Sequence, residues 1–281
     1  MFKFNGFIVG IVCGAVMLGG AGASAGDKPV AGPALFDPQR SYDLPDLAEL
    51  HQIRFLTEND YPPLQFTRSD GELAGFNVEL ARLICEELKI TCTVQPWRWD
   101  KLNEALANGA GDAIIASQKP TRDTATTQTF SEPYYLTPAR FVAARDLPAG
   151  EINADTIKGK TVGVVSGSAH EAYLKAAFPG ALAKIYPSQA EAETALQAHQ
   201  VELLFGDGLS LSIWLAQNDG ACCGFRGGPY FSSYFFGEGA RIAMRRDDNI
   251  LRAALNATLF RLDKDGRLAE LYWKYFPVGF Y

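Results

Sequence analysis

Apolar positions along this chain switch repeatedly between the two spacings that mark helices and strands. Phe76, Leu80, Leu83, Ile84 and Leu88 recur at the interval that lines one helix face. Before them, residues 53–56 read as a short strand. Leu64-Gln-Phe66 and Glu72-Leu73 flank an Asp70-Gly71 turn, the mark of a hairpin. Asp100 predicts the N-cap of a second helix that stops at Asn108-Gly109. Asp112-Ala-Ile-Ile-Ala-Ser117 then predicts a short buried strand. The middle of the chain repeats this alternation. Residues 160–165, 184–186 and 201–205 are strand-like, and Asp207 follows the last of them. Between them Ser168-Ala-His-Glu171 and Ser188-Gln-Ala-Glu191 are capping boxes that open helices. Toward the end come Arg241-Ile-Ala-Met, an amphipathic helix over 249–262, an Asp265-Gly266 turn and a helix over 268–276. Strands alternating with helices mean βαβ units and mostly parallel sheets. The pattern predicts an α/β fold, and two lobes fit it better than one continuous sheet.

The two ends of the pattern differ in kind. Lys3, an apolar run over 7–18 and Ala23-Ser24-Ala25 form a signal peptide with an A-x-A cleavage site. The apolar run is too short to span ~30 Å of hydrocarbon. We expect cleavage after Ala25 and export as a soluble protein, with residues 1–25 removed. Residues 26–50 carry Pro29, Pro33, Pro38 and Pro45 with little periodicity, and read as a tether or an arm that wraps a lobe.

Composition then excludes whole classes. A net charge of −6 and a pI near 5.2 leave nothing to neutralise phosphates, so no nucleic-acid partner is expected. The three histidines, His51, His170 and His199, lack ligand spacing, so neither a metal site nor a cofactor is expected. Export makes the cysteines informative. Cys85, Cys92, Cys222 and Cys223 remain after cleavage, an even number in an oxidising compartment. Cys85 ends a helical pattern and Cys92 opens a strand, a reversal short enough to bring both into disulfide range. Adjacent Cys222 and Cys223 are left open between a vicinal disulfide and two buried thiols.

Several motifs occur in a shared order: Tyr61-Pro-Pro-Leu64, Gly71-Glu-Leu-Ala-Gly-Phe-Asn-Val-Glu-Leu80, Trp99-Asp100, Gly111-Asp-Ala-Ile114 and Phe130-Ser-Glu-Pro-Tyr134. Lys158-Gly-Lys-Thr-Val-Gly163 and Arg245-Arg-Asp-Asp248 follow. From Ile53 to the C-terminus the sequence resembles the periplasmic solute-binding proteins that feed polar amino acids to ABC importers, solute-binding family 3. The Cys85-x6-Cys92 spacing also matches the disulfide of the lysine/arginine/ornithine and histidine binders. The resemblance implies a type II periplasmic binding protein: two lobes joined by two crossover hinge strands, closing on a ligand between them. One lobe would be residues 51–138 with 241–281, the other 139–240. It implies a monomer in the periplasm that carries an amino acid or related small organic ligand to a membrane ABC permease.

The same resemblance assigns cleft residues. Tyr61 and Trp99 match the aromatic pair that sandwiches the ligand side chain, worth roughly 0.5–2 kcal/mol over a cation. Ala116, Ser117 and Lys119 stand where the family holds the ligand head group. This agrees with ligands sitting beyond the C-terminal ends of parallel strands. Ser168 and Ala169 open a helix whose free N–H groups suit a carboxylate, while Ser168 also suits the cap itself. Asp207 matches the acceptor for the ligand ammonium. Family members that bind α-amino acids carry an arginine six residues before the Phe-Ser-x-Pro-Tyr motif, and here that residue is Thr124. Arg122 lies two residues early. A bidentate arginine is the main carboxylate anchor in such sites, and burying a carboxylate without one costs on the order of 3–5 kcal/mol. Lys119 offers a substitute charge. Periplasmic cyclohexadienyl dehydratases share this scaffold, and Glu58, just before Tyr61, or Asp207 would be the acid in that reading. A sensor or a helper to a dehydrogenase is the third. No nucleophile–base or paired-carboxylate spacing favours catalysis, so a binder rather than an enzyme is expected.

Overall fold

A computed structural model describes Met1 and residues 35–37, 39–146 and 151–281. The signal peptide with its cut at Ala25, together with Pro29, Pro33 and Pro38, falls outside those residues apart from Met1. The predicted alternation folds into two separate five-stranded sheets. In the first, the strands lie in the order Thr91–Pro96, Gln52–Thr57, Ala113–Ile114, Ala243–Arg245 and Gln128–Phe130. The first three are parallel, and Ala243–Arg245 pairs antiparallel on both sides. In the second the order is Leu182–Tyr186, Thr161–Val165, Leu203–Asp207, Ala139–Ala144 and Cys223–Tyr230. Again three are parallel, and Ala139–Ala144 runs antiparallel to both neighbours. Ala139–Ala144 is buried at every residue, while the edge strand Leu182–Tyr186 is mostly exposed. A strand covered on both faces is apolar rather than alternating, and the exception here, Arg140, has its guanidinium bound to the Phe280 carbonyl.

Helix Phe76–Leu88 buries Phe76, Leu80, Ile84 and Leu88, as its spacing requires, in one core with residues of Asn249–Lys264 and Arg267–Tyr275. The predicted hairpin forms between Gln65–Thr67 and Leu73–Ala74. Both capping boxes form, with Ser168 and Ser188 accepting from the N–H groups of Glu171 and Glu191. Asp100 departs from expectation. Its carboxylate is taken by Arg98, the chain makes a 3₁₀ turn over Trp99–Lys101, and the helix proper is Leu102–Ala107 with no side-chain cap. The strand predicted over 112–117 is ladder-paired only at Ala113–Ile114. Its neighbour ends at Thr57, whose hydroxyl donates to the Ile115 carbonyl, and Ser117 turns away at φ 61°.

The chain crosses between the sheets twice, side by side. Tyr135 pairs antiparallel with Ala240, through Ala240 N–H to Tyr135 O at 2.9 Å. Gly239, at φ 89°, has to be glycine, since an added Cβ would lie 2.6 Å from both the Tyr135 carbonyl and Leu136 Cδ2. The C-terminal tail adds a third tie. Phe280 is fully buried, its N–H donates to the Tyr272 hydroxyl at 2.7 Å, and its carbonyl accepts from Arg140 at 3.1 Å. The Ser212 hydroxyl donates to Val278 O, and Leu136 N–H to the Tyr281 hydroxyl at 3.2 Å.

The described part of the proline-rich segment is an arm on the first core. Phe36 is buried, with its ring 5.5 Å from Tyr42 and 5.8 Å from Phe260, and Leu44, Leu47 and Leu50 pack against the same cluster. Cys85 and Cys92 are bonded, with Cα atoms 5.9 Å apart, and tie the helix end to the edge strand. Cys222 and Cys223, left open by the sequence, are joined as a vicinal disulfide. Replacing Cys85 and Cys92 together by serine should lower the unfolding free energy by about 2–3 kcal/mol in the chain-entropy account. The denaturant midpoint should fall, with the slope the same or slightly steeper as the opened loop leaves the unfolded chain less compact; a midpoint that does not move would show the bridge to be dispensable.

Candidate functional site

The C-terminal ends of the parallel strands gather the predicted residues at one edge of each sheet. On the first sheet, Glu58 follows Thr57, Trp97 N–H donates to Thr57 O at 2.7 Å just after the neighbouring strand, and Ser117 follows the third. This edge is held by buried hydrogen bonds that periodicity does not reveal. Asn77, fully buried on the first helix, donates to Ser117 Oγ at 2.8 Å and to Gln65 Oε1. Gln65 in turn donates to Glu58 Oε1 at 3.1 Å. Ser117 N–H donates to the Tyr134 hydroxyl at 3.0 Å, and burial pushes that phenol far above its ordinary range. The Ser117 hydroxyl also hydrogen-bonds the buried phenols of Tyr134 and Tyr135. Ala116 is buried with the core, so only its backbone is on offer.

Tyr61 is 44% exposed and Trp99 53%, too open for core aromatics of that size. Burial raises the Tyr61 phenol, and the carboxylates of Asp207 and Glu58 add to the rise. Tyr61 belongs to the first half and Asp207 to the second, so the field around this ring is made by acids from both. Lys119 Nζ donates to the Phe236 carbonyl at 3.0 Å and to Thr137 Oγ1 at 3.4 Å, which places the one cation of the set at the two crossovers. Thr124 begins the short helical turn Thr124–Thr127, and its hydroxyl accepts from the N–H of Thr121 at 2.9 Å. Arg122 is exposed.

On the second sheet, Ser168 Oγ accepts from Glu171 N–H at 3.0 Å and donates to Val165 O at 2.7 Å. Its hydroxyl proton is therefore committed to the cap. Ala169 is exposed on the first turn. Asp207 ends its strand and caps helix Gly208–Leu215, with Oδ1 accepting from the N–H and hydroxyl of Ser210 at 2.9 and 3.1 Å. Oδ2 makes no hydrogen bond or ion pair among the described residues. Ser168, His170, Gln189 and Asp207 line a cavity of about 220 Å³ here. His170 is a site residue the sequence reading missed, hidden inside a capping box that fully explained its neighbours. A larger cavity, about 640 Å³, lies at the opposite edge of the first sheet. Arg54 and Arg245 close on Asp112 there, so its polar groups already satisfy one another. Among the described residues no cluster of side chains is suited to a metal ion.

Residues 53–278 match the family of bacterial extracellular solute-binding proteins, family 3. The chain belongs to that family. The L-arginine-binding protein of Pseudomonas aeruginosa is 33% identical over 241 residues, which is 85% of this chain and 93% of that one. The lysine/arginine/ornithine-binding periplasmic protein of Escherichia coli is 30% identical over 232 residues, 82% of this chain and 89% of that one. Among solved structures, the L-cystine solute receptor of Neisseria gonorrhoeae, unliganded and open, superposes with a TM-score of 0.70 at 24% identity. That comparison covers 80% of this chain and 92% of the receptor. Substrate-binding domain 2 of Lactococcus lactis GlnP, also open, gives 0.69 at 17% identity, over 82% and 97% of the two chains. These likenesses establish the fold, that of type II periplasmic binding proteins.

For this solute-binding protein the exposure of Trp99 yields a direct test. Trp99→Ala should remove most of the affinity for the captured solute and leave the melting temperature nearly unchanged. A loss of about 3–5 kcal/mol of stability, the cost of truncating a core aromatic, with affinity intact would make Trp99 structural instead.

Proposed function

We propose that the protein captures a basic amino acid between two lobes and presents it, as a monomer, to an ABC permease in the periplasm. The lobes are residues 51–138 with 241–281, and residues 139–240; the exported form begins after Ala25. The observation that carries this reading is the meeting of Glu58, Tyr61 and Asp207 in one electrostatic environment. Two acids from opposite halves beside an exposed aromatic favour a cation, and Trp99 adds a second open ring. The relatives named for arginine, lysine and ornithine point to the same ligand chemistry. Asp207 Oδ2 takes the ligand ammonium. Ser117, held in place by Asn77, turns its hydroxyl and backbone toward the ligand's carboxylate. Where the family arginine is absent at Thr124, Lys119 supplies the carboxylate's countercharge. In this reading Glu58 and Asp207 bind and set the local field, and no bond of the ligand is broken.

Calorimetry with L-arginine, L-lysine and L-glutamate tests the ligand class. The two basic amino acids should bind and L-glutamate should not; binding of L-glutamate alone would overturn the reading. Lys119→Met should weaken L-arginine binding at least tenfold, because a charge-assisted bond in a closed cleft is lost. A change within ~1 kcal/mol that fades with added salt would make Lys119 a rim charge instead.

A further inference from the structure

His170 lies in the second half of the cleft, beside the residues assigned to the ligand rather than among them. It shares the small cavity with Asp207 and Gln189. Its ring is stacked on Phe236, with centroids 5.0 Å apart at 18°, and meets Phe205 edge-on at 6.1 Å. Neither ring nitrogen makes a hydrogen bond among the described residues, and Asp207 Oδ2 is equally unengaged. Phe236 is a shared element: its ring supports His170 while its carbonyl holds Lys119. The charged groups that act on the imidazole are Asp207, from strand Leu203–Asp207, and Lys119, from the first half. On its own helix, Glu171 is spent on Gly167 N–H and Lys175. Gln189 across the cavity is uncharged.

We propose that His170 is a ligand-contacting residue that makes solute capture proton-linked, by competing with the ligand's ammonium for Asp207. This rests on the reading that Asp207 receives that ammonium. With His170 neutral, Asp207 is open to the ligand. With His170 protonated, the imidazolium occupies Asp207 and repels the incoming cation. Burial holds the imidazole below its ordinary value, Asp207 pulls it up, and Lys119 pushes it down again. The free protein is thus mostly neutral at His170 near neutrality, and the competing form appears only on acidification. The sign follows from linkage: a bound cation disfavours a second positive charge, so occupancy lowers the His170 pKa. Affinity must then fall as pH drops through the pKa of the free protein.

The test has one arm without ligand and one with it. In the first, the His170 imidazole is titrated by NMR in wild type, Asp207→Asn and Lys119→Met. Asp207→Asn should lower its pKa and Lys119→Met should raise it; an unchanged value in Asp207→Asn would overturn the proposal. In the second, L-arginine affinity is measured between about pH 7.5 and about pH 5. Wild type should weaken severalfold across this range, tending to about tenfold per pKa unit of coupling only below the pKa of the bound form, while His170→Gln stays flat. Equal slopes in both proteins would overturn the proposal. If L-arginine fails to bind wild type at the upper pH, the basic-amino-acid reading fails. The ligand-free titration then still decides whether His170 and Asp207 are coupled.

Discussion

Two backbone strands running side by side, paired at Tyr135 and Ala240, are the constraint on which everything else hangs. The outgoing chain and the returning chain are hydrogen-bonded to each other before either joins its sheet. Each sheet has a core of its own, but Leu209 of helix Gly208–Leu215 is buried in the first one, so the ribbon and the C-terminal tail together set how the halves are joined. Lys119 reaches the carbonyl of Phe236 on one side of that ribbon and the hydroxyl of Thr137 on the other. The residue assigned to the ligand's charge thus also touches the element on which the halves would turn. Few-residue hinges of this kind absorb backbone change while the packed layers move as bodies.

The site is built by groups that do two jobs. Asp207 caps a helix through one oxygen and leaves the other unspent. Ser168 is committed to its cap, which leaves the exposed backbone of the first turn, at Ala169, to face solvent. On the opposing edge, Asn77 fixes Ser117 from behind at a backbone conformation that few residues other than glycine adopt. Such buried polar chains are costly when incomplete, so they hold their members to one geometry. Each sheet edge is thus held rigidly by its own hydrogen bonds.

Much of this was legible along the chain, and the reasons differ by residue. Helix Phe76–Leu88 announced itself because its apolar face is local and regular, and the hairpin because Asp-Gly dictates the turn. Exposure of Tyr61 and Trp99 agrees with their placement beside prolines and a helix start. Asp100 misled because a cap is decided by which partner wins its carboxylate, and Arg98, two residues away, wins. Nothing in the spacing pointed to the chain from Glu58 through Gln65 and Asn77 to Ser117. Its last link joins residues forty apart through tertiary contact alone. His170 was overlooked because a good local explanation, the capping box, already accounted for that stretch. The assignments at Lys119 and Thr124 rest on register, which fixes position along the chain but not where a long side chain reaches.

The C-terminal tail carries a practical lesson. Phe280 is among the most deeply buried residues of the chain, and its carbonyl is a hydrogen-bond acceptor for Arg140 on the crossover strand of the other sheet. That end of the polypeptide is thus part of the machinery rather than a neutral handle. A purification tag, fluorophore or surface tether attached there would pull on the joint between the halves and bias whatever it was meant to report. A biosensor built on this scaffold would better carry its label on the solvent-facing edge strand Leu182–Tyr186, whose side chains are mostly open to water and far in the fold from that joint.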